Sequence, residues 1–87
     1  MRARRSKDQI VIEILSRCEN GENITEIVYQ TNTNFTTIRT YLNHLTKNDL
    51  LERQASTTPI LYKTTAKGIE MRNRLRTIQT EEEKLAV

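Results

Sequence analysis

The chain has 87 residues and a mass of 10.2 kDa, enough for one domain and not two. Apolar residues make up 36% and charged residues 29%, with 14 Lys+Arg against 11 Asp+Glu, so the chain is mildly basic at net +3. No apolar run approaches the ~18 residues of a membrane span, one cysteine cannot staple a fold, and one histidine leaves few ligands for a metal.

The charge is unevenly spread. Arg2, Arg4, Arg5 and Lys7 form a basic arm over residues 1–7 with no acid among them. Residues 8–34 are acidic, with Asp8, Glu13, Glu19, Glu22 and Glu26 against Arg17 alone. Residues 35–67 turn positive again through Arg39, Lys47, Arg53, Lys63 and Lys67, against Asp49 and Glu52. No acid stands between Glu26 and Asp49. Such asymmetry points to a positive surface built by particular segments, although a basic tail alone can simply aid solubility. No basic stretch followed by an apolar run opens the chain, so secretion is not expected.

Ser6 or Asp8 can cap a first helix, in which Ile10, Val11, Ile14, Leu15 and Cys18 recur at helical spacing. Ile12 falls off that stripe, and Gly21 is the expected stop. Asn23 with Glu26 three positions on reads as a capping box. The short helix it opens turns Ile24, Ile27 and Val28 inward, with Tyr29 left open between core and surface, before the polar run Thr31-Asn32-Thr33-Asn34.

Asn34 caps a third helix to about Lys47, with Phe35, Ile38, Tyr41, Leu42 and Leu45 on one face at 100° per residue. Its other face carries Thr36, Thr37, Thr40, Asn43, His44 and Lys47, with Arg39 at the flank. Asn48-Asp49 suits a left-handed helix end. Leu50–Arg53 and Ile60–Lys63 read as two short strands joined by a polar loop with the single proline. Thr65 caps a last helix with Lys67 and Gly68 in its first turn.

Helix, helix, helix, strand, wing, strand, helix is the order of a winged helix-turn-helix. The expected fold is therefore mainly α with a small β-hairpin. It divides into the arm 1–7, a winged domain 8–64 and a C-terminal helix 65–87. Met71, Leu75, Ile78, Glu82 and Leu85 follow 4-3-4-3 spacing, a coiled-coil seam with one polar break. That seam either dimerises or folds back on the first helix.

A helix-turn-helix lays its second helix in the major groove. Asn43 suits adenine N6/N7, and Arg39 suits guanine O6/N7 or a phosphate. The methyls of Thr36, Thr37 and Thr40 suit thymine, and their hydroxyls suit phosphates or bases. Asn34, His44 and Lys47 complete that face. Arg53 and Lys63 offer a wing contact to the backbone, and Arg2, Arg4, Arg5 and Lys7 offer phosphate or minor-groove contacts. Cys18 reads as a buried small hydrophobe. With no nucleophile–base pair, phosphate-cradling glycine loop or paired metal motif, the chain is not expected to be an enzyme. No cofactor and no small-molecule effector are expected either.

Several stretches carry a family likeness: Arg4-Arg5-Ser6-Lys7, the Cys18 turn, Asn32-Thr33-Asn34-Phe35 leading into Tyr41-Leu42-x-x-Leu45, Asn48-Asp49-Leu50-Leu51 and Tyr62-Lys63-x-Thr65-x-Lys67-Gly68. Together they resemble the small archaeal winged-helix DNA-binding proteins, some of which are abundant nucleoid proteins. The resemblance covers nearly the whole chain, and its Thr-x-Lys-Gly element recurs in many winged-helix regulators. It implies non-enzymatic binding of double-stranded DNA, a cytoplasmic, nucleoid-associated location, and a homodimer held by the C-terminal helices as an antiparallel coiled coil. Asp49 departs from the pattern, where the family often has glycine, and so does the rather short last helix. The rival reading is a winged-helix module that docks a protein partner through its last helix and binds no nucleic acid.

Overall fold

A computed structural model describes residues 6–85. Four helices and one hairpin follow in the order α1 (Lys7–Arg17), α2 (Ile24–Thr31), α3 (Phe35–Lys47), β1 (Leu51–Gln54), β2 (Leu61–Thr64) and α4 (Ala66–Leu85). Each helix starts where a short polar side chain can cap it. Ser6 accepts from the Gln9 amide, Asn23 from Glu26, Asn34 from Thr37 and Thr65 from Gly68, at 2.8–3.1 Å. The capping box at α2 closes differently from expectation, because the Asn23 amide donates to the Glu22 carboxylate rather than to Glu26.

The helix ends are equally local in origin. Asn32 and Asp49 adopt left-handed backbone, with φ of 53° and 64°. At α3 the Leu50 amide reaches back to the Leu45 carbonyl and the Asp49 amide to Thr46, the two bonds of a Schellman motif. Leu50, expected to open a strand, is instead the apolar residue that closes this cap and is buried with Leu45. The strands accordingly start one residue later than the apolar pattern suggests. They pair antiparallel with Arg53 opposite Tyr62 and Glu52 opposite Lys63. An isolated bridge between Glu22 and Tyr62 ties the α1–α2 loop to the hairpin.

Ile14, Leu15, Cys18, Ile27, Ile38, Leu42, Leu45, Leu50 and Leu51 form the buried core. Phe35, expected inside, is 45% exposed, and Tyr29, which the pattern left open, is on the surface at 81%. Tyr29, near the end of α2, and Phe35, the first residue of α3, flank the turn between the two helices and line a cleft with Thr25, Val28, Asn32 and Thr33. Ile12, off the apolar stripe, is buried nonetheless. It lies on the side of α1 that faces α4, where Arg76 donates to the Ser16 hydroxyl and Arg72 pairs with Glu19.

The first half of α4 thus packs on its own domain. Met71 contacts the core cluster and Leu75 is half-buried. The second half projects: Ile78 is 42% exposed, Leu85 86%, and Glu82 is exposed. The expected seam is therefore divided between two surroundings.

The α4 entry explains why glycine follows Thr65 and Lys67. A Cβ on Gly68 would press on the Leu50 carbonyl oxygen and come 2.7 Å from Thr64 Cγ2. Helix propensity favours alanine over glycine by about 1 kcal/mol, but a backbone carbonyl cannot rotate aside as a side chain can. Gly68→Ala is expected to destabilise the domain by about 1–3 kcal/mol, lowering the thermal midpoint by ~4–8 °C per kcal/mol. An unchanged or raised midpoint in a melting experiment contradicts this packing.

Candidate nucleic-acid interface

With Ile38, Leu42 and Leu45 turned to the core, the outward ridge of α3 consists of Thr36, Thr40, Asn43 and Lys47, all exposed. Two clefts flank the ridge. On the α1 side, a cleft of about 550 Å³ is lined by Lys7, Val11, Thr36, Thr37, Thr40, Tyr41, His44 and Leu45. On the wing side, another of about 550 Å³ brings Arg39 together with Arg53, Tyr62 and the start of α2.

Local bonds limit what some of these groups can offer. The Asn34 side-chain oxygen Oδ1 accepts from the Thr37 amide at 2.8 Å, so Asn34 serves the helix before any partner. The Thr40 hydroxyl donates to the Thr36 carbonyl at 3.0 Å. Thr40 therefore presents a methyl and an oxygen lone pair outward, not a proton. Asn43 and Lys47 are exposed and make no bond to a described residue.

Other expected contacts are separated from the ridge. Lys7 opens α1 rather than ending an arm, and it lines the α1-side cleft. Arg2, Arg4 and Arg5 lie outside the described residues. Arg53 stands within β1, away from the loop tip, and Lys63 shares the opposite hairpin face with Glu52. The acid-free stretch of sequence is also not an acid-free surface, since Glu26 enters the wing-side cleft.

Cys18 is fully buried, and burial, helped by the Glu22 carboxylate, pushes its thiol from 9.0 up to about 12. It stays protonated and unreactive at neutral pH. Among the described residues no group of three or more His, Cys, Asp and Glu could hold a metal, and no helix is long and apolar enough to cross a membrane.

A short helix pair with a tight polar turn, followed by a hairpin and a closing helix, is the element order of a recognised family, and residues 4–83 match its profile. The chain belongs to the winged helix-turn-helix family. Within it, α2 and α3 are the helix-turn-helix and β1–β2 the wing. The fold is similar to the crystal structure of Sso10a-2, described as a DNA-binding protein from Sulfolobus solfataricus. The TM-score is 0.88 at 27% identity, over 94% of this chain and 86% of that one. No curated protein matches the chain. A winged helix-turn-helix is a non-catalytic regulatory module.

Sequence reasoning missed Tyr29 and Phe35, which line a shallow cleft with Thr25, Val28, Asn32 and Thr33 at the leading end of α3. The signal available was position: Phe35 directly follows an N-cap, where a helix has just begun and its neighbours are turn residues.

The division of labour on α3 is testable by stability. Asn34→Ala is expected to cost about 1 kcal/mol through loss of the cap, whereas Asn43→Ala stays within ~0.5 kcal/mol of the parent. Chemical denaturation that shows equal losses contradicts the assignment of Asn34 to the helix and Asn43 to the exposed ridge.

Proposed function

We propose that the protein is a dimeric double-stranded-DNA-binding protein, a transcription regulator or chromatin-organising protein, that inserts α3 in the major groove. The observation that carries this reading is the ridge of Thr36, Thr40, Asn43 and Lys47, exposed and without an acid along the whole helix. An ordinary solvated helix face would carry Glu and Lys, whereas this one offers methyls, an amide and a terminal cation. A similar protein, Sso10a-2, is described as DNA-binding, which supports the same class of partner.

In this reading Asn43 pairs with adenine, the threonine methyls lie against thymine, and Arg39 takes a guanine or a phosphate. Thr37 and His44, on the α1-side flank, complete the contact, with Lys7 beside them. Arg53 holds backbone from the wing, and Arg2, Arg4 and Arg5 follow phosphates. Lys63, on the far face of the hairpin, is left out of this surface. Ile78 and Leu85, exposed on the projecting half of α4, support a homodimer that uses the distal seam, including Glu82, as an antiparallel coiled coil. Two such α3 helices would address half-sites one turn of duplex, about 34–36 Å, or a multiple of it apart. The corresponding location is the nucleoid.

Binding to random-sequence duplex across a salt series tests the proposal. Neutralising about four to six phosphates gives a log–log slope of about −4 to −5 per protomer. Arg39→Ala and Asn43→Ala are expected to cost about 1–3 kcal/mol of binding each, and Arg17→Ala, on α1, much less. No measurable affinity at 50 mM salt, or equal losses in all three variants, overturns the reading. Light scattering on the free protein tests the dimer: twice the 10.2 kDa chain mass is expected, and a monomer mass contradicts it.

A further inference from the structure

We infer that the wing-side cleft is a clamp for a single DNA phosphodiester, with Arg39 and Arg53 as its two cationic arms, so that Arg39 holds backbone and does not read a base. The inference rests on the reading of α3 as the groove helix and resolves which of its side chains can carry sequence information.

Arg39 comes from α3 and Arg53 from β1, yet both line the one cleft. Neither guanidinium hydrogen-bonds or ion-pairs with any described residue, although Arg72, elsewhere on the surface, has found a carboxylate partner in Glu19. The remaining walls are the start of α2, Asn23 to Glu26, and the apolar surfaces of Pro59, Ile60 and Tyr62. Two guanidiniums face one carboxylate, Glu26, which leaves the cleft net positive. A guanidinium's planar fork matches phosphate oxygens, and two forks on one anion bind it from two sides. Pro59 and Ile60 give an apolar wall against which a deoxyribose can rest.

The position of the cleft decides between base and backbone. A helix of ~10–12 Å diameter fills a major groove about 12 Å wide. Side chains at the centre of its outer face reach base edges, and those at the flanks meet the phosphate strands. At 100° per residue, Arg39 lies roughly 70° from the centre of the Thr36–Thr40–Asn43–Lys47 ridge, on the side of the wing. A residue there, with a second arginine beside it, faces a strand and not the groove floor. The wing therefore acts with α3 on one phosphate instead of reaching separately with its tip. Asn43 and the threonines are left to distinguish sequences.

The test compares Arg39→Gln, Arg53→Gln, the double variant, Arg39→Lys and Glu26→Gln with the parent. Asn43→Ala and Lys47→Gln serve as controls. All are titrated with a 20-base-pair duplex and with permuted-sequence duplexes of the same length. Each Arg→Gln change is expected to weaken binding by the same factor on every duplex and to lower the salt slope by about 1. That slope change makes the loss about fourfold smaller at 200 mM than at 50 mM salt. The two changes together should cost less than the product of the single losses, Arg39→Lys should retain the slope, and Glu26→Gln should tighten binding several-fold. A loss at Arg39 that depends on sequence, with the slope unchanged, overturns the clamp and makes Arg39 a base reader. Losses at Arg39 and Arg53 that multiply independently, or weakening by Glu26→Gln, also overturn it. If Asn43→Ala and Lys47→Gln weaken binding while the arginine changes do not, the clamp fails and the groove-helix reading stands. A parent protein that binds no duplex overturns both.

Discussion

The structure depends on how five residues, Thr64 to Gly68, satisfy the exposed carbonyls at two helix ends. The last turn of any helix leaves carbonyls without internal partners, and burying them unpaired costs about 1–3 kcal/mol each. Here Thr64 donates its hydroxyl to the Leu15 carbonyl at 2.7 Å and its amide to Cys18 at 2.9 Å, closing the end of α1. Thr65 donates its hydroxyl to the Asp49 main-chain carbonyl at 2.7 Å and its amide to that of Leu50 at 3.1 Å, tying down the two residues that follow α3, and Lys67 reaches the carbonyl of the C-cap Asn48. Gly68 lets α4 cross this point at backbone distance. The segment from Thr64 to Gly68 is thus a joint that links α1, the end of α3, the hairpin and α4, with Thr64, Thr65, Lys67 and Gly68 each given a separate physical task.

That joint governs the candidate interface without touching it. It fixes the C-terminal end of α3 and the root of the hairpin together, so the direction in which α3 leaves the core and the position of β1 are set by one set of bonds. The wing-side cleft is the space that remains between them. Its two arginines come from elements held by the same joint, which is why side chains 14 positions apart in sequence meet on one surface. The distal half of α4, by contrast, receives nothing from the joint and extends the molecule to 47 Å along its longest axis.

Most of the fold was legible in the sequence because its determinants are local. Ser6, Asn23, Asn34 and Thr65 each precede an apolar-periodic stretch, and each is the cap of a helix. Azimuth around a helix was also readable: Ile38, Leu42 and Leu45 point in and Asn43 and Lys47 out. What the pattern cannot supply is whether a partner exists at a given azimuth. Phe35 falls on the apolar side of its wheel but stands where the domain ends, and Ile12 falls off its stripe but meets a helix from the far end of the chain. The meeting of Arg39 and Arg53 in one cleft, and the separation of Lys63 from both, depend on strand register and the placement of β1 against α3. Those are tertiary facts. The exposure of Thr36, Thr40, Asn43 and Lys47 on α3 is readable from the pattern, and the clefts that flank them require the fold.

In the proposed function α3, and not α4, is the surface that meets nucleic acid. Amide chemical-shift mapping of the isotope-labelled protein with a short duplex tests it most directly. The largest perturbations are expected at Thr36, Thr40, Asn43 and Lys47, extending through Arg39 to Arg53 and Tyr62. Perturbations confined to residues 69–85, or none at saturating duplex, would contradict it.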